Sequence, residues 1–299
     1  MLGVMKVRFA VSPGIEMWDG DVLPEFIDAL ESLGFDTIWL SDIPMGAPVD
    51  PLVGLAFAAG RTERLKLGAN LVPIGRNPML LAKSLAQLDR LSGGRLLLSL
   101  VPGLDQPGER GALGIGDAKR GHLIDDIIPL LRQWWSGAPV DHHDDRYDFA
   151  DVIVRPLPSQ DPLEIWLGGI GPLALRRAGR LADGWLGAAI TPEEAGLAVA
   201  QIAAAATEAG RVVDPEHHGL SIPHATVDPD PRAVAAMRAR RPDAPVEQVF
   251  PVGRAQLRDL VAQLVDHGLS KFVIRPIGSA SAWRDDLNRL ADSVLDLQT

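Results

Sequence analysis

The sequence predicts a (β/α)8 barrel, and three observations predict it. Eight short runs rich in Val, Ile and Leu recur along the chain, helical patterns with readable ends lie between them, and the alternation fills 299 residues, where such a barrel needs about 250. The chain is 46% hydrophobic, enough for one large α/β domain or two smaller ones. No stretch of linker composition divides it, so a single barrel domain over 1–299 is expected.

The strand candidates are "VRFAVS" (7–12), "TIWLS" (37–41), "LKLGANLV" (65–72), "RLLLSL" (95–100), "LEIWLG" (163–168), "GWLGAAI" (184–190), "GLSIPHATV" (219–227) and "KFVIRPI" (271–277). After the first, Val22, Leu23, Phe26, Ile27, Leu30 and Leu33 make one apolar helical stripe, and Gly34 stands at the C-terminal cap position. After the third, Asn77 is placed to cap a helix whose first residue is Pro78, before Leu81, Leu85 and Leu88. After the sixth, "TPEE" reads as a capping box of Thr191 and Glu194. Two segments interrupt the alternation. Residues 139–162 look like a β-hairpin inserted before the fifth strand, and 228–253, rich in Pro and Arg, is a lid-like insertion after the seventh. Barrel chemistry takes place at the C-terminal ends of the strands, so that insertion hangs over the expected site.

Composition narrows the function. There is no cysteine, which excludes disulfides, thiolate nucleophiles and Cys-based metal sites. A net charge of −10 opposes a general nucleic-acid surface. No run has the roughly 18 apolar residues that span a bilayer, and "MLGVMKVRF" lacks the apolar core of a signal peptide. The expectation is a cytoplasmic protein acting on a small molecule, without nucleic acid or membrane; a homodimer is compatible with it. Of the 29 Lys and Arg residues only five are lysine, at 6, 66, 83, 119 and 271.

The most informative stretch is "IWLGGIGPLALRRAGRLADGW" (165–185), a strand entering a helix through glycines. Gly169, Gly171 and Ala174 fit G-x-G-x-x-G/A, in which bare backbone and a helix N-terminus receive phosphate. The turn follows the fifth strand, and no acidic residue closes another strand about twenty residues later, so a dinucleotide fold is excluded. In a barrel the amides from Gly168 to Gly171 still suit a single phosphate; a tight connection is the plain alternative.

These motifs, with "GFDTIWLSD" (34–42), the block from 50 to 103, "LLRQWWSGAPV" (130–140) and the ending from 252 to 278, resemble the bacterial luciferase-like family of barrel oxidoreductases, which use FMN or the deazaflavin F420. The resemblance covers nearly the whole chain and implies hydride transfer between F420, or else FMN, and a small organic substrate. A monooxygenase using reduced FMN and O2, and a non-catalytic cofactor binder, are the alternatives. It places cofactor phosphate on Gly168, Gly169, Ile170 and Gly171, and a strand bulge with a non-proline cis peptide under the ring at Ala69 and Asn70, where an ordinary loop residue is the alternative. Arg275, ending the eighth strand, matches an anionic cofactor or else a rim ion pair. The family's phosphate-holding hydroxyl after the sixth strand falls on Ala188, with Thr191 a displaced substitute.

Family members that protonate at the ring carry an Asp-His pair after the second strand; here Asp42 is followed by Ile43. Leu104 stands where sugar-phosphate dehydrogenases carry glutamate, which argues against that activity. The remaining acid–base candidates are Asp42, which otherwise fixes its loop, and His224, which otherwise belongs to the core. Ser12 and Asp42 are expected to face the mouth, and Met17 and Trp18 to cover the ring or pack the barrel top. "DHHDD" (141–145) and "EHH" (216–218) have metal-ligand residue types, but neighbours on a strand point to opposite faces, and no metal is expected.

Overall fold

A computed structural model describes residues 5–14, 22–104, 106–278 and 280–299. Met17 and Trp18 lie outside the described residues. Eight parallel strands close into a barrel: β1 (Arg8–Val11), β2 (Thr37–Ser41), β3 (Lys66–Leu71), β4 (Leu96–Leu100), β7 (Ile165–Gly168), β8 (Gly184–Ala188), β9 (His218–His224) and β10 (Lys271–Pro276). Around the wall they run β1-β10-β9-β8-β7-β4-β3-β2, while β5 (Val140–His143) and β6 (Asp148–Val152) form a separate antiparallel pair. Except for β2, which coincides with its run, each barrel strand is shorter than the apolar run that announces it. The sixth stops at Ala188 because Ala189 turns into the left-handed region at φ 55°.

The connecting helices are α1 (Leu23–Leu33), α2 (Pro51–Arg61), α3 (Pro78–Leu91), α4 (Glu109–Ala112), α5 (Arg120–Trp135), α6 (Pro172–Leu181), α7 (Pro192–Glu208), α8 (Pro231–Arg240), α9 (Val246–Val249), α10 (Gly253–Asp266) and α11 (Trp283–Val294). Their ends follow local chemistry. Gly34 closes α1 at φ 89°, where a side chain would be strained. Asn77 accepts from the amides of Met79 and Leu80, and Thr191 and Glu194 form the reciprocal capping box of α7, satisfying donors that the first helical turn leaves orphaned.

The wall has two faces with different contents, set by the two-residue period of a strand. Outward residues such as Phe9, Val11, Ile38, Leu40, Leu67, Leu98, Leu220, Ile222, Phe272 and Ile274 pack against the helices in the large core cluster. Inward residues Ala10, Trp39, Trp166, Leu186 and Val273 form a second, small cluster that plugs the barrel. Two glycines make room for its indoles: a Cβ on Gly68 would lie 2.2 Å from the Trp39 ring, and one on Gly184 2.4 Å from that of Trp166. Above the plug most inward positions become polar.

Candidate functional site

The same alternation assigns the mouth. Continuing inward from the plug toward the C-terminal ends, the strands present Ser12, Ser41, Asn70, Ser99, Gly168, Ala188, Ser221 and Arg275. Asn70 and Ser99 are partners in the β3–β4 register; the Nδ2 of Asn70 donates to the Ser41 hydroxyl at 3.3 Å. Its Oδ1 and the Ser99 hydroxyl are buried with no partner. A buried polar atom without a partner costs about 1–3 kcal/mol, so this pair is built to meet something else. The cis bond expected at Ala69 and Asn70 is absent, since the two cis peptides among the described residues both precede proline. The expected bulge is absent too. Leu67 to Leu71 pair in unbroken register with Leu96 to Leu100, and that continuous ladder holds Asn70 inward while Ala69 sits in the outer core.

Asp42 corrects an expectation. It has the parity of Ile38 and Leu40, which face outward, and its amide extends the ladder to the Asn70 carbonyl. Its Oδ2 accepts from the Val72 amide at 3.1 Å and the Arg76 guanidinium at 2.9 Å, and Arg76 also reaches Asp50 at 2.7 Å. Asp50 in turn caps α2. Burial pushes the Asp42 carboxyl above its usual range, against the pull of Arg76. The residue binds three segments of the rim together. His224 has the outward parity of Leu220 and Ile222; its Nδ1 meets the Pro251 carbonyl at 2.9 Å, and burial holds it below the usual imidazole range. Both candidate acid–base groups therefore belong to the outer side of the wall. The residues that sequence reading passed over, Ser41, Ser99 and Ser221, occupy the inner side.

The glycine turn has the geometry of an anion cradle. Gly169 adopts φ 109°, and a Cβ there would lie 2.8 Å from that of Ala174; a Cβ on Gly168 would meet Val101 at the same distance. Trp185, fully buried on β8, donates its indole N–H to the Gly169 carbonyl at 2.8 Å. That bond ties the carbonyl to the outer core, while the amides of Gly169, Ile170, Gly171 and Leu173 have no backbone acceptor among the described residues. All four residues are exposed. A cavity of about 720 Å³ opens at this turn, with Lys119, His122, Arg176, Arg177 and Arg180 in its lining; Arg177 is held by Asp125 at 2.6 Å. Cations and free amides around one turn, at a helix N-terminus, favour a phosphate.

Arg275 is the other anion-seeking feature. Among the described residues it has no hydrogen bond or ion pair, so it is not a rim ion pair. Burial and the neighbouring Arg240, at the end of α8, both depress its proton affinity. Ala188 is exposed and without a hydroxyl, and Thr191 is committed to the α7 cap. Arg241, just after α8, binds Glu194 at 2.8 Å and the Ala189 carbonyl, fastening the segment after β9 over the β8 rim. In the hairpin, His143 pairs with Asp148 and His142 with Asp144, and no cluster of three or more potential metal ligands occurs among the described residues. None of the described helices is long and apolar enough to cross a membrane.

A profile described as luciferase-like monooxygenase matches residues 17–295, and the chain belongs to that family. The chain is 30% identical over 230 residues to the 5,10-methylenetetrahydromethanopterin reductase of Methanopyrus kandleri, covering 68% of this chain and 63% of that protein. It thus spans somewhat under two thirds of the length of this curated relative. Its fold is that of an F420-dependent secondary alcohol dehydrogenase in complex with an F420–acetone adduct, with TM-score 0.81 and 17% identity over 99% of this chain and all of that one. It is also that of the oxygenating constituent of 3,6-diketocamphane monooxygenase from Pseudomonas putida, in complex with FMN, with TM-score 0.77 and 18% identity over 97% of this chain and 98% of that one.

Proposed function

We propose that the protein is an oxidoreductase that binds F420, with FMN as the alternative, and transfers a hydride between the cofactor ring and a small organic substrate. The observation that carries this reading is the glycine turn, whose free amides open on a cavity lined with cations. Within the family, the reductase and the secondary alcohol dehydrogenase named above support F420, and the diketocamphane monooxygenase supports FMN.

The residues present fit such a cofactor. Gly169, Ile170 and Gly171 would hold its phosphate, and the orphaned Asn70 Oδ1 and Ser99 hydroxyl suit the alternating N–H and C=O edge of a deazaflavin or flavin ring. Arg275 would add charge attraction at the mouth. The bound ring supplies the hydride chemistry. The chain orients it, with the plug of Trp39, Trp166 and Leu186 beneath it. Asp42 and His224 lie on the outer side, and Ile43 follows at the rim, so among the described inner-wall residues at the mouth no carboxylate or imidazole is offered to a substrate. The favoured reaction is accordingly one in which the proton comes from solvent.

Fluorescence titration with F420 and with FMN tests the reading. Saturable binding in the wild type that is lost in Gly171→Val supports it. Gly171 is the clean position, because a Cβ there meets nothing within 4 Å and φ is negative. Equal affinity in the two proteins, or no binding of either cofactor, overturns it.

A further inference from the structure

A second cavity, of about 280 Å³, lies at the opposite, N-terminal end of the barrel beneath the tryptophan plug. Its walls contain Arg8, Lys66 and Lys271 beside Trp39 and Trp166. Its acceptors are already engaged. Asp36 takes Arg8 at 3.4 Å, Lys66 at 3.2 Å and the Thr37 hydroxyl at 2.7 Å. Glu164 takes the Trp166 indole at 3.2 Å and lies 3.6 Å from His217, while Glu216 accepts from the Lys6 amide.

Leaving aside the exposed Lys6 ammonium, two donors are left over. The Lys271 ammonium has only a 3.4 Å contact to the Lys6 carbonyl and no carboxylate in ion-pair range. The indole N–H of Trp39, a residue 5% exposed, has no partner at all. Burial holds the Lys271 ammonium below its usual range, against the more distant pull of Asp36 and Glu216. Lysine is also rare in this chain, yet three of its five lysines, Lys6, Lys66 and Lys271, line this one cavity.

We propose that this cavity is a binding site for a small organic carboxylate, its charge met by Lys271 and the Trp39 indole N–H and its apolar body lying against the two tryptophans. The volume is at the low end for metabolite pockets, and an anion restores the balance between donors and acceptors. Inorganic phosphate would use the cations but leave the indole faces idle. The proposal is independent of what binds at the mouth.

Tryptophan fluorescence and thermal melting of the full chain, with acetate, benzoate, succinate and inorganic phosphate as probes and chloride as the ionic-strength control, test it. At least one carboxylate is expected to give a saturable signal and to raise the melting temperature. Lys271→Met should weaken that binding about tenfold or more, Trp39→Phe, which keeps an aromatic face and removes the N–H, should weaken it several-fold, and Lys83→Met should leave it unchanged. Gly171→Val should lose the cofactor while keeping the carboxylate, which separates the two sites. Absence of any saturable carboxylate signal in the wild type, saturation by phosphate alone, or unchanged affinity in both Lys271→Met and Trp39→Phe overturns the proposal.

Discussion

At the scale of single residues, what decides a role is which side of the barrel wall a side chain leaves from. Arg275 departs inward without a counter-ion. Arg275→Met keeps the stem and removes the charge, so cofactor affinity should fall by roughly 1.5–3 kcal/mol and its dependence on salt should flatten; matching salt titrations of the two proteins check this. Asp42 departs outward into the Val72 and Arg76 contacts. Asp42→Asn should therefore cost about 1–3 kcal/mol of stability while leaving the pH profile of turnover in place, and a displaced profile would return Asp42 to the chemistry. Gly169 and Gly171 look equivalent in the sequence but are not in the fold. A side chain at Gly169 is strained by its φ of 109° and disturbs the turn itself, whereas Gly171 has free space.

At the scale of elements, the helix ends follow from short-range chemistry and the strand faces from long-range pairing. The α7 capping box is written in four consecutive residues, so Thr191→Ala should lower stability by about 1 kcal/mol, read as a shift in denaturant midpoint at constant slope. The glycine turn needs a partner from another element. Trp185 is 16 residues from Gly169 in the chain and next to it in the fold. Trp185→Phe should retain the outer packing, release the Gly169 carbonyl and weaken cofactor binding more than it lowers the melting temperature. The loop after β4 is set by a buried pair, Glu109 with Arg120 at 2.9 Å, which the sequence does not announce because the partners stand on different elements, α4 and α5.

At the scale of the whole molecule, acid should weaken the barrel through its buried imidazoles. His218 begins β9 only 4% exposed, and burial, helped by the neighbouring His217, lowers it from 6.5 to about 4. The folded state then binds the proton less readily than the unfolded chain. Its contribution to stability is complete above about pH 6.5 and is lost as the pH falls toward 4, up to about 3 kcal/mol. Melting temperatures across that interval should drop in the wild type and drop less in His218→Gln, relative to each protein's value at neutral pH. His224 acts in the same direction.

The sequence by itself determined the barrel, the order of its eight strands, the caps at Gly34, Asn77 and Thr191, and the glycine turn. Each of these rests on periodicity or on residues within a few positions of one another, where apolar spacing and backbone hydrogen bonding act locally. Only the tertiary structure decided that Asp42 and His224 sit outside the wall, that Asn70, Ser99 and Arg275 sit inside it with bonds unmade, and that three distant lysines meet at the far end. A shift of one residue in register reverses the face of every side chain. That register is set by pairing between strands tens of residues apart, which no local pattern contains.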